Sequence, residues 1–78
     1  MKFMEFIRIK EELPRFLLER TGLSSRSMRE DITREYNVDS VEMRGYGSKD
    51  IMLVRKDGVT FVYDFGRRHC SFRELRRR

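Results

Sequence analysis

Asp57-Gly58 sits between two apolar runs, Ile51-Met52-Leu53-Val54 before it and the Val59–Phe65 stretch after it. A two-residue hairpin turn that follows the natural strand twist needs positive φ at its central residues, and Asp-Gly supplies that at little steric cost. So short a turn leaves no slack in the pairing. It predicts antiparallel strands over Asp50–Lys56 and Val59–Phe65, with Lys56 opposite Val59, Arg55 opposite Thr60, Val54 opposite Phe61, Leu53 opposite Val62 and Met52 opposite Tyr63. Because strand side chains alternate, the two faces follow from the register. One carries Met52, Val54, Phe61, Tyr63 and Phe65, and this aromatic face is expected to be covered by helices. The other carries Ile51, Leu53, Arg55, Thr60 and Val62. It is partly apolar, so it calls for cover by the N-terminal arm or the C-terminal tail, or for a partner.

Upstream, Val41 and Met43 alternate with Ser40, Glu42 and Arg44, which predicts another half-buried strand, followed by a turn at Gly45-Tyr46-Gly47-Ser48. Before it lies a helix–corner–helix pattern. The first helix is expected from Glu11 to Thr21, with Pro14 in its first turn, where a missing amide proton costs nothing. Gly22 is placed to end it in left-handed geometry. Ser24, Ser25 and Ser27 all qualify as N-cap of the second helix, and Ser27 with Glu30 also fits a capping box. Met28, Ile32 and Tyr36 form its apolar stripe, and Asn37 is a plausible C-cap. Met1–Lys10 fits a strand or a short helix equally poorly; the reading preferred is a strand or extended arm pairing with the sheet. Ser71-Phe72-Arg73-Glu74 is a second capping box and predicts a short C-terminal helix docked by Phe72 and Leu75. The expected class is α+β: two helices joined at a Gly corner, packed on a three- or four-stranded, mainly antiparallel sheet, in one small domain.

The stretch FLLERTGLSSRSMREDI, residues 16–32, resembles the core of winged helix-turn-helix transcription regulators. The resemblance rests on Leu17, Glu19, Arg20, Gly22, Leu23 and Ser24, then Ser27, Met28, Arg29, Asp31 and Ile32. Those regulators place their second helix in the major groove. The resemblance therefore implies that Ser25, Arg26, Ser27, Arg29 and Glu30 lie near DNA. Leu18 departs from the family pattern, which prefers a small residue there, and the residues before Pro14 are too few for the family's upstream helix and loop.

Charge is unevenly placed along the 78 residues. Residues 1–65 hold twelve Lys/Arg and twelve Asp/Glu, whereas residues 66–78 hold six Arg and one Glu, so the net charge of +5 belongs to the C-terminal stretch. That makes residues 66–78 a basic tail suited to phosphates. The hydrophobic share of 38% supports a small core and excludes a disordered chain. A single cysteine, Cys70, allows no internal disulfide. No apolar run approaches a membrane span, no signal-peptide core interrupts the N-terminal charges, and a cytoplasmic location is expected.

Catalytic and metal chemistry are not indicated. His69 and Cys70 are the sole residues of their types, and neighbours on extended backbone point apart, an awkward geometry for a dyad. One His and one Cys do not make a metal site. No phosphate-cradling glycine loop or cofactor motif is present. The expectation is a non-enzymatic binding protein. The preferred partner is DNA, or RNA. The expected contacts are Ser25, Arg26, Ser27 and Arg29 on the second helix, Arg55 and Lys56 at the hairpin as a wing, and Arg67, Arg68, Arg73, Arg76 and Arg77 in the tail. The alternative is a phage- or mobile-element-encoded inhibitor, similar to the loose class that includes anti-CRISPR proteins, which occludes a host protein or ribonucleoprotein complex. Arg44, Tyr46, Phe3 and Phe6 would then be the contacts, Tyr and Arg being the residue types enriched at binding hot spots.

Overall fold

The computed structural model describes residues 1–20, 22–45 and 50–74. Two helices, α1 (Phe3–Leu18) and α2 (Ser25–Tyr36), precede four strands, β1 (Ser40–Arg44), β2 (Ile51–Lys56), β3 (Val59–Asp64) and β4 (His69–Glu74). The strands form one antiparallel sheet in the order β1-β2-β3-β4. Asp57 and Gly58 both take positive φ, at 50° and 80°. The register across the hairpin is the one this turn dictates, from Lys56 opposite Val59 to Met52 opposite Tyr63.

One face of the sheet carries the core. Met52, Val54, Phe61 and Tyr63 are buried there beneath Ile9, Leu13 and Leu17 of α1 and Met28, Ile32 and Tyr36 of α2. α1 packs over β3 and β4, and α2 packs against β1. The α2 caps match their residue types. Ser24 is the N-cap, its Oγ accepting from the Ser27 amide at 3.2 Å, and Asn37 closes the helix in left-handed geometry with its amide donating to the Thr33 carbonyl. The Ser27–Glu30 box is not the one used. Gly22 turns the corner at φ 97°, a geometry disfavoured for residues with a Cβ.

Two expectations are corrected. Met1–Lys10 is neither strand nor arm: α1 begins at Phe3 and Pro14 lies inside it. Ile9, Leu13 and Leu17 fall at four-residue steps on one stripe, and Phe6 reaches Phe61 with ring centroids 5.5 Å apart. Burying that stripe outweighs the hydrogen bond that proline removes from the helix ladder. Ser71–Glu74 does not open a helix, because these residues belong to β4. Pairing Phe61 with Phe72 and Tyr63 with Cys70 satisfies the free edge of β3, and it buries Cys70. Leu75, Arg76, Arg77 and Arg78 lie outside the described residues, as do Tyr46, Gly47 and Ser48 of the expected Gly45–Ser48 turn. No helix among the described residues is long and apolar enough to cross a membrane.

Candidate nucleic-acid interface

With the Met28, Ile32 and Tyr36 stripe held against the core, helical geometry divides the rest of α2 into two flanks. One flank carries Asp31 and Glu35 and faces α1. Asp31 Oδ2 accepts from Arg20 Nε at 3.2 Å, and Glu35 Oε1 accepts from Arg8 at 2.6 Å. Both arginines also lie over aromatic rings, Arg8 over Tyr36 at 5.0 Å and Arg20 over Phe16 at 3.5 Å. The acidic flank of α2 is thereby neutralised within the molecule.

The other flank faces outward beside β1. Arg26, Arg29, Glu30, Thr33 and Arg34, with Val41, line an open groove of about 660 Å³. Arg26 pairs with Glu30 at 3.3 Å and Arg34 with Asp31 at 3.3 Å, yet their side chains remain 85% and 75% exposed. Ion pairs this exposed hold their partners weakly, so either guanidinium can exchange partner at small cost. Arg29 makes no ion pair among the described residues. Three guanidiniums therefore border this groove against one carboxylate, Glu30. Ser25 is exposed in the first turn, and Ser27 is half-buried beside its cap.

Arg67 and Arg68 lie at the same end of the molecule as the start of α2. Asp64 Oδ1 accepts from the Gly66 and Arg67 amides, at 2.8 and 3.1 Å, which tightens the β3–β4 turn and leaves both arginines exposed. Arg68 shares a cavity with Gly22 and Met28 beneath the helix corner.

The remaining expected contacts are elsewhere. Lys56 is buried, and its Nζ donates to the Tyr36 and Asn37 carbonyls at 3.0 and 2.8 Å. It ties the β2–β3 hairpin to the C-terminal end of α2, where a cation is favoured by the helix dipole, and it is not presented to a phosphate. Arg55 and Arg73 flank Thr60 on the sheet face opposite the helices. The hairpin thus lies at the end of α2 away from Ser25 and Arg26. Arg44 pairs with Glu42 on β1. Phe3 is 73% exposed, while Phe6 is half-buried between Phe61 and Phe72. Tyr46, Arg76 and Arg77 lie outside the described residues.

His69 is exposed and its neighbour Cys70 is buried in β4, which separates the two side chains. Burial pushes the Cys70 thiol up to about 11. Among the described residues no group of three His, Cys, Asp or Glu side chains converges to hold a metal ion.

Reading single residues missed Arg34 as part of the outward flank, and missed the screening of the acidic one. The Asp31–Glu35 spacing was a usable signal, since residues four apart share a helix face. Its meaning depended on Arg8, which reaches Glu35 only because residues 3–10 are helical. No protein-family model matches the chain, and neither the curated proteins nor the solved structures include a significant match.

Proposed function

We propose that the protein binds nucleic acid, with DNA the first candidate, through the outward flank of α2. One observation carries the reading: α2 turns Asp31 and Glu35 to Arg20 and Arg8 and leaves Arg26, Arg29 and Arg34 exposed on the outward flank, with Glu30 as the one carboxylate lining it. Arg26, Arg29 and Arg34 would contact phosphates, with Ser25 and Ser27 at the helix entry and Arg67 and Arg68 as flanking contacts. Such contacts fix position and supply salt-dependent affinity, whereas base-edge contacts supply sequence preference. The resemblance of residues 16–32 to winged helix-turn-helix regulators supports the same helix as the contacting element.

Titration of a labelled random duplex, followed by fluorescence anisotropy at several salt concentrations, tests the reading. Three to five phosphate contacts give a log–log salt slope of about −3 to −4.5. Arg29→Glu is expected to weaken binding by about tenfold or more and to flatten the slope by about one unit. Absence of duplex binding at low salt, or a slope untouched by Arg29→Glu, would sink the proposal.

A second reading, occlusion of a host protein or ribonucleoprotein complex, is favoured by one feature. Phe3 and Met4 of α1 are 73% and 74% exposed, and Phe72 of the edge strand β4, itself exposed, packs edge-on against Phe6 of the same helix. Single exposed apolar residues are ordinary, but aromatic side chains beside an edge strand with no partner strand among the described residues suit a protein partner. Phe3→Ser with Phe72→Ser would abolish that activity and leave duplex binding unchanged.

A further inference from the structure

The sheet face opposite the helices carries a second surface of different chemistry. Ile51, Leu53 and Val62 form its floor, and no described element packs on them. Leu53 is nonetheless only 8% exposed, although it stands outside the core cluster. Arg44, Arg55 and Arg73 line the same concavity of about 460 Å³, so their aliphatic stems supply the cover while the guanidiniums stay at the rim.

Arg44 and Arg55 share one carboxylate, Glu42, and Arg73 makes no ion pair among the described residues. Asp64, at one end of this face, is turned into the β3–β4 turn by its bonds to the Gly66 and Arg67 amides. Arg55, only loosely paired with Glu42 at 3.8 Å, and Arg73 set two guanidiniums over an aliphatic floor, which is complementary to carboxylates interspersed with apolar side chains. Nucleic acid fits this face poorly, because among the described residues no aromatic side chain on it offers a base a stacking platform and its floor repels phosphate. A helix is the element that covers a sheet face, as α1 and α2 do on the other side, whereas an added strand would only extend an edge.

We propose that this face docks an acidic amphipathic helix of a partner protein, with apolar side chains on Ile51, Leu53 and Val62 and carboxylates on Arg55 and Arg73. The surface is separate from the α2 groove and stands whether or not that groove binds nucleic acid. The probe is a fluorescently labelled sixteen-residue helical peptide with leucines at i, i+3, i+4 and i+7 spacing and glutamates between them, titrated with the full chain. Saturable binding is expected. It should weaken about tenfold or more in Arg55→Glu/Arg73→Glu and in Val62→Asp, and stay unchanged in Arg29→Glu. Circular dichroism checks each fold, and Val62→Ser is read in place of Val62→Asp if the latter does not fold. A scrambled peptide or poly-glutamate binding equally well would overturn the proposal, because charge alone would then suffice. So would the absence of saturable binding, insensitivity to the face variants, or displacement of the peptide by single-stranded DNA in a manner that depends on Arg55 and Arg73.

Discussion

Removing the Lys56 ammonium would leave the Tyr36 and Asn37 carbonyls without their donor at the end of α2. Hydrogen bonds to a charged group contribute about 1.5–3 kcal/mol each in net terms, and shared geometry makes two of them less than additive. Lys56→Met is therefore expected to lower the free energy of urea unfolding by about 2 kcal/mol, while Arg55→Met on the neighbouring position changes it by under about 0.5 kcal/mol. Lys56 was expected as a phosphate contact at the hairpin, although strand parity puts it on the covered face with Val54. Its charge argued for exposure, and only the position of the α2 terminus resolves the conflict. A second residue-scale effect follows from Cys70, whose thiol burial pushes from 9.0 to about 11. The unfolded chain loses this proton first as pH rises. The stability it represents is complete below about pH 9 and is lost as pH climbs toward 11. Burial raises Tyr36 and Tyr63 as well, which extends the decline upward from pH 10. Thermal melts are expected to fall steeply across pH 9–11 in the wild type and less steeply in Cys70→Val.

At the scale of elements, the hairpin and α2 were legible because their determinants are local. Asp57-Gly58 fixes a turn, a register and two faces within a dozen neighbouring residues, and Ser24 and Asn37 cap a helix whose stripe lies between them. The two ends of the chain were not legible for the opposite reason. Residues 3–10 have no clean period of their own; they are helical because Phe6 and Ile9 meet Phe61 and the sheet, contacts some fifty residues away in sequence. Ser71–Glu74 satisfies a helix-start pattern, yet the unpaired edge of β3 recruits it as a strand. Pro14 is the clearest local misdirection, since a proline marks a first turn far more often than a helix interior. Its placement gives a test of the continuous α1. Pro14→Ala restores a ladder hydrogen bond and is expected to raise stability by about 1–2 kcal/mol, the gain being reduced by the greater freedom of the unfolded chain. A loss of stability, measured by urea unfolding, would show that α1 does not run unbroken from Phe3 to Leu18.

Across the whole molecule, the distribution of charge is the organising feature. Composition placed the net positive charge in residues 66–78, but residues 69–74 are an edge strand that carries only part of it into the body of the sheet. Folding instead separates the cations into distinct surfaces. Arg8 and Arg20 pair with carboxylates of α2, Arg26, Arg29 and Arg34 border the outward groove, and Arg44, Arg55 and Arg73 line the sheet face opposite the helices. A list of arginines read from the sequence merges these surfaces, because the side that each residue faces is set by helix phase and strand parity together. We propose that nucleic acid selects the α2 groove among them. The most direct measurement is an amide NMR titration of the isotope-labelled full chain with a short random duplex. The account predicts shifts concentrated on Ser25 through Arg34 and on Arg67 and Arg68, with Ile51 through Arg55 and Thr60 through Val62 undisturbed. Shifts centred on the Arg55 and Arg73 face, or none at all, would contradict it.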